Sequence, residues 1–227
     1  AETLKAAGYR TALFGKWHLG AHRDHGPTKQ GFDEFFGIRD GFIDNYNHHF
    51  LHGNQGYHDL YEGTREVTHK NRYFPEMVVT RSLEFIEKNR DRPFFLYLAF
   101  NIPHYPEQAL KEHAALYQEL PMPRRSYAAI VTTTDHYIGK VLDQLDKLDL
   151  RRNTIVIFQS DNGHSTERYS IRSAEHTSGY PKGHRYGANG GGGNTGKWIG
   201  NKGNFLEGGI RTPAIISYPT SLPQGET

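Results

Sequence analysis

The chain has 227 residues, a formal charge of +2 with histidine neutral, and no cysteine. That length suits one domain with a real hydrophobic core, or a large piece of one. The near-balanced charge excludes a phosphate-backbone binder, which needs a basic face, and so argues against nucleic acid as a partner. The lack of cysteine excludes a disulfide framework and a thiolate site but leaves the compartment open.

Abundant glycine, 25 residues, with 36% hydrophobic content indicates a core wrapped in long loops. The 14 histidines can supply charge, metal ligation or acid–base chemistry near neutral pH. No apolar run is long enough to cross a bilayer. The first residues lack the charged start, apolar centre and small-residue cleavage site of a signal peptide.

In chain order, Ala1 to Ala7 is helix-forming, with Gly8 as its stop. Tyr9 to Phe14 is a compact strand, followed by a loop holding Gly15, Gly20, Gly26 and Pro27. Residues 31–68 are rich in aromatic residues, His, Asn and Gly without clear periodicity, which predicts irregular structure with short strands. Pro75 suits a first helical position, and Val79, Leu83 and Ile86 recur at helical spacing up to Arg90. Pro93 to Phe100 is a nearly continuous apolar run, as in a strand buried on both faces. A long helix is predicted from Arg124 to Leu148, with the stripe Tyr127, Val131, Thr134, Ile138, Val141, Leu142 and Leu145.

Thr154 to Gln159 reads as a second buried strand and Ala214 to Tyr218 as a last one, separated by a Gly-, His-, Ser- and Asn-rich loop over 163–203. Within that loop, the low-complexity run at 187–196 is either mobile or ordered by substrate. Strands alternating with amphipathic helices predict an α/β fold with a mainly parallel central sheet flanked by helices. Both ends read as cut within the fold, so it is expected to be incomplete at each.

In open α/β sheets, ligands bind beyond the carboxyl ends of the strands. Three predicted strands run into polar clusters there: Gly15-Lys16-Trp17-His18-Leu19-Gly20, Asn101-Ile102-Pro103-His104-Tyr105-Pro106, and Ser160-Asp161-Asn162-Gly163-His164. If the three strands are parallel neighbours, Lys16, His18, His104, Asp161 and Asn162 share a pocket. Singly, each cluster has another reading: a solvated turn at Lys16 and His18, a satisfied histidine at His104, and turn chemistry at Asp161-Asn162-Gly163.

Together the clusters resemble the sulfatase family, within the alkaline-phosphatase-like superfamily. The resemblance rests on Ala6-Ala7-Gly8-Tyr9 with Thr11 and the block at 15–20, on Pro103-His104, and on Asp161-Asn162-Gly163. It also rests on Lys202-Gly203 followed by Glu207-Gly208-Gly209-Ile210-Arg211-Thr212-Pro213. The segment at 25–37 is similar to the stretch after the first block in many sulfatases. On this resemblance the whole chain, 1–227, is part of a sulfatase catalytic domain.

The resemblance implies roles. Asp161 and Asn162 would be ligands of one calcium ion, a hard cation that prefers oxygen donors. Lys16 and Lys202 would bind the sulfate oxygens and stabilise charge in the transition state. His18 would contact a hydrated formylglycine nucleophile, and His104 would donate a proton or a hydrogen bond to the leaving alcohol. Glu207 and Arg211 would form an ion pair or loop brace. The family makes formylglycine from Cys or Ser in a Cys/Ser-x-Pro-x-Arg sequence, and no such sequence occurs here; the nearest string, at 221–225, lacks the Arg. The nucleophile and further metal ligands are therefore expected upstream of Ala1, and the piece itself is expected to be inactive.

The expected reaction is hydrolysis of a sulfate ester, with a sulfated carbohydrate favoured by the polar loops 37–74 and 163–200, and His164, His176 and His184 as further candidates for substrate contact. Family habit implies a periplasmic, secreted or lysosomal setting. Two other readings stay open. One is a phosphodiesterase or phosphonate hydrolase of the same superfamily. The other is a non-catalytic calcium-dependent glycan binder that uses Tyr46, Phe50, Tyr57 and Trp198 as stacking platforms. Oligomeric state is not legible.

Overall fold

The computed structural model describes residues 1–187, 191–223 and 225–226, so three residues of the 187–196 run, Gln224 and Thr227 lie outside the described residues. In chain order the elements are α1 (Glu2–Ala6), β1 (Arg10–Lys16), β2 (Glu34–Ile38), β3 (His49–Phe50), β4 (Tyr57–His58), β5 (Tyr61–Glu62) and β6 (Arg65–Glu66). Then come α2 (Phe74–Lys88), β7 (Phe94–Ala99), α3 (Lys111–Ala115), α4 (Arg124–Lys147), β8 (Val156–Gln159), α5 (Glu207–Ile210) and β9 (Ala214–Ser217).

The main sheet has the order β6-β5-β2-β1-β7. Its three longest strands, β2, β1 and β7, are parallel, and β5 and β6 add an antiparallel edge. The α/β architecture expected from the sequence is thus present. β1 sits between two partners and is buried over Thr11–Gly15 because its alternate side chains meet cover on both faces. Ala12 and Phe14 face α2, in a core with Phe36, Phe74, Val78 and Phe85. Phe85 meets Phe14 and Phe94 edge-on, with ring centroids 5.9 and 6.0 Å apart. Leu13 faces the other way, with Phe32 and Phe35.

At the carboxyl end of β1 the strands approach unusually closely. Gly15 has φ 119°, and a Cβ there would lie 1.9 Å from the Ala99 carbonyl oxygen of β7. Only glycine fits that backbone.

α2 carries the expected stripe, and α4 packs against it through Val79, Ile130 and Tyr137. The buried face of α4 differs from the expected one: it runs through Ala129, Ile130, Thr133, Thr134, Tyr137 and Leu145, while Val131 is exposed. Threonine can take those positions because its hydroxyl is satisfied inside the helix. Thr133 and Thr134 donate to the carbonyls of Ala129 and Ile130 at 2.9 and 2.8 Å.

Two strand expectations are corrected. β7 is not buried on both faces: it is the edge of the main sheet, and Tyr97 is 49% exposed. β8 is not a parallel neighbour of β1 and β7. It pairs antiparallel with β9 in a separate two-stranded sheet, and Ile157 and Phe158 stand exposed beside Ile215 and Ile216. An apolar run specifies a strand, but burial needs covering elements, and among the described residues none covers that sheet.

Candidate functional site

The loops after β7 and β8 converge on one cavity of about 400 Å³, whose walls include His104, Asp161, Asn162, His164, Trp198 and Lys202. Convergence does not require the strands to be neighbours; the loops reach across. Gly163 makes this possible on the β8 side. Its amide donates to the Gly209 carbonyl at 2.9 Å, and a Cβ on Gly163 would lie 1.8 Å from the Gly208 carbonyl oxygen. The Asp161-Asn162-Gly163 turn is therefore pressed backbone to backbone against the start of α5. The Lys202 amide donates to the His164 carbonyl at 2.9 Å, which ties the Lys202 block to the cluster after β8.

Lys202 is the best-defined cation of the cavity. Its Nζ lies 3.1 Å from His104 Nε2 and 3.2 Å from Glu167 Oε2. His104 Nδ1 lies 2.7 Å from the Tyr105 carbonyl oxygen, which can only accept, so Nδ1 carries the ring proton. Burial, reinforced by the charges of Lys202 and Lys16, outweighs that hydrogen bond and pulls the His104 pKa down to about 4. Near neutral pH His104 is thus uncharged, and Nε2 accepts from the Lys202 ammonium.

Lys16 and His18 are not among the cavity walls. They approach from the end of β1, near enough for the charges of Asp161 and Lys202 to act on both. Burial lowers the Lys16 pKa, with Asp161 opposing and Lys202 reinforcing. His18 is also lowered, first by burial and then by Lys16, and it holds a left-handed backbone with φ 53°. The six residues singled out in the sequence therefore form one electrostatic neighbourhood, with four of them lining the cavity.

Asp161 is exposed and Asn162 donates its amide to the Gly163 carbonyl at 2.8 Å, leaving its side-chain oxygen without a hydrogen-bond donor among the described residues. A carboxylate and an amide oxygen side by side suit a hard cation, but they supply two of the six to eight oxygens calcium takes. Among the described residues no group of three or more His, Cys, Asp or Glu side chains is placed to hold a metal.

Glu207 and Arg211 form the expected brace at 3.0 Å, one turn apart on and just beyond α5. Of the three further histidines, only His164 lines the cavity; His176 is buried against Ser178, and His184 stacks on Tyr180. Of the aromatic platforms, only Trp198 lines it, beneath the Arg211 guanidinium at 4.3 Å. Tyr46 packs on Tyr73, and Phe50 on Tyr57. Sequence reasoning did not single out Tyr105, Glu107, Tyr127 or Glu167. Tyr127 belongs to the apolar stripe predicted for the long helix, which marks it for packing and not for a site; of the others, only Tyr105 has a signal, as the neighbour of His104 in its strand-end cluster.

A second cleft of similar size lies beside α2. Its charged residues are already paired, as Arg81 with Glu62 at 2.9 Å and Lys88 with Glu34 at 3.7 Å, which leaves nothing convergent for chemistry.

The fold and this cavity define an α/β protein with a polar, charged site at strand ends. The Sulfatase family profile matches residues 1–227, and the chain belongs to that family. It is 33% identical over 231 residues to arylsulfatase J of Mus musculus, covering 99% of this chain and 35% of that protein. It is 32% identical over 240 residues to N-acetylgalactosamine-6-sulfatase of Canis lupus familiaris, covering 99% and 40%. Among solved structures, Ps i-CgsB in complex with k-i-k-neocarrahexaose matches with a TM-score of 0.73 and 27% identity, over 96% of this chain and 46% of that one. The chain thus spans well under half the length of the curated relatives named. No helix among the described residues is long and apolar enough to cross a membrane.

Proposed function

We propose that the protein carrying this chain hydrolyses sulfate esters of a carbohydrate. The observation that carries the reading is the Lys202–His104 contact at 3.1 Å in a cavity that also holds Asp161 and Asn162. A fixed cation beside an uncharged imidazole suits a monoanionic ester whose leaving oxygen needs a proton. Lys202 and Lys16 would hold the sulfate oxygens, and fixed cations of this kind stabilise the charge that grows as the ester breaks. The proton for the leaving oxygen would come from the Lys202–His104 pair, with Lys202 supplying it and His104 Nε2 able to relay it. Asp161 and Asn162 would hold one side of a calcium ion, whose contribution is to neutralise sulfate charge. His18 would face the nucleophile, a formylglycine expected outside this chain.

The carbohydrate assignment is supported by the relatives, one named for N-acetylgalactosamine 6-sulfate and one solved with k-i-k-neocarrahexaose. Trp198 in the cavity wall offers an apolar face on which a sugar ring can stack. A periplasmic, secreted or lysosomal setting, where calcium is plentiful, belongs to the same reading.

The protein expressed from its complete coding sequence tests this. Inorganic sulfate released from sulfated galactosaminides and carrageenan oligosaccharides is expected to exceed phosphate released from aryl phosphates, and to fall on calcium chelation. Faster phosphate release would overturn the choice of ester.

A further inference from the structure

The most heavily bonded carboxylate at the site has no part in the roles above. Glu167 Oε2 accepts from the Ser165 hydroxyl at 2.8 Å, the Tyr105 hydroxyl at 3.0 Å and the Lys202 ammonium at 3.2 Å. Its Oε1 accepts from the Tyr169 hydroxyl at 3.1 Å. Four donors on one carboxylate fix it far more tightly than a surface ion pair would. Two of them lead to His104. Lys202 donates to His104 Nε2, and Tyr105 packs its ring against the imidazole, centroids 4.0 Å apart, while Phe42 stacks on His104 at 5.1 Å. Glu167 therefore grips both the cation that faces His104 and the ring that packs against it.

We infer that Glu167 is a positioning residue: it holds Lys202 on His104 Nε2 and anchors Tyr105, so that donor and acceptor stay aligned toward the leaving oxygen. The role of this alignment in catalysis rests on the sulfatase reading above; the alignment itself does not. The carboxylate is suited to the task because it stays ionised. Burial would raise its pKa, but the Ser165 hydrogen bond, the Lys202 charge and the Tyr105 hydroxyl outweigh that and bring it to about 2.

The test compares Glu167→Gln, Glu167→Asp and Tyr105→Phe in the protein made from its complete coding sequence. Three readouts are taken: sulfate-ester kinetics, the ¹⁵N shift of His104 Nε2, and the unfolding temperature. Glu167→Gln keeps the volume and removes the charge. It is expected to lower kcat about 10- to 100-fold, as loss of an outer-shell partner does. The change in KM should be smaller, with an Nε2 shift moved toward that of an imidazole without a cationic donor. Glu167→Asp should recover most of the kcat, because the charge returns. Tyr105→Phe, which cuts one tether and leaves the cation held, should fall between wild type and Gln. An unchanged Nε2 shift in Glu167→Gln overturns the inference. So does a kcat loss that Asp fails to rescue and that tracks a lowered unfolding temperature. If the wild type releases no sulfate from any ester, the functional reading falls, yet the Nε2 shift still decides what Glu167 holds, because it needs no substrate. Should Glu167→Gln not fold, the Asp and Phe variants carry the same comparison.

Discussion

β1 and β8 are both short apolar strands, and both deliver a site residue at their carboxyl ends. β1 is enclosed: α2 covers one face, Leu13, Phe32 and Phe35 fill the other, and parallel partners flank it. β8 has one partner, β9, and presents Ile157 at 64% exposure. The site is built across the two, with Lys16 and His104 supplied by the enclosed region and Asp161 and Lys202 by the open one. Local sequence sets the strand, while burial is a property of what packs on it.

That contrast can be broken by mutation. The largest expected effect lies in the enclosed region. Phe85→Ala removes a ring that is 2% exposed and touches Phe14 and Phe94, and should cost about 3–5 kcal/mol in denaturant unfolding. A cost below about 1 kcal/mol would mean that this core is not what it looks to be. Next come the two lysines. Lys16→Ala and Lys202→Ala should each lower kcat/KM for a sulfate ester by about 10²–10³-fold. Equal losses from opposite regions would show that the site works as one unit; a loss from only one would split it.

A smaller effect concerns acid stability. His48 is fully buried, its Nδ1 has no partner among the described residues, and burial lowers its pKa to about 4. Between pH 6.5 and about 4 the unfolded chain binds this proton and the folded chain does not, so stability falls as pH drops through that window. The contribution is of order 2–3 kcal/mol at its limit. Asp59, raised by burial to about 6, opposes it below about pH 6, over most of the same range. In His48→Asn the acid loss should shrink, measured as the unfolding free energy near neutral pH minus that in mild acid, inside the window. The smallest effect belongs to the open region: Ile157→Thr should change stability by about 0.5 kcal/mol or less, and chiefly reduce binding of an apolar dye.

Much of this was legible in the sequence. The helical stripe of α2 and the apolar runs of β1, β7 and β8 placed four elements, because each pattern answers to a local period. The strand-end clusters, and the family resemblance for Lys202, singled out residues of which His104, Asp161, Asn162 and Lys202 come together on one cavity. Thr134 and Leu145 were in the predicted stripe of α4, but the rest of its buried face was hidden, in part because Thr133 counts as polar until its hydroxyl is seen bonded to the Ala129 carbonyl. β2 was hidden inside an aromatic, aperiodic stretch, and its place next to β1 comes from long-range pairing. Glu167 was hidden for a related reason: its four partners come from three separate loop positions, Tyr105, Ser165–Tyr169 and Lys202, and no spacing announces them.

The missing side chain at Gly15 bears on how this site could change over time. The carbonyl of Ala99 occupies the space a methyl group would need, immediately beneath Lys16 and five residues before His104. Any larger residue there would wedge the two strands apart and carry the lysine and the imidazole with them. The separation of these two groups is locked by a contact too tight to be edited one atom at a time.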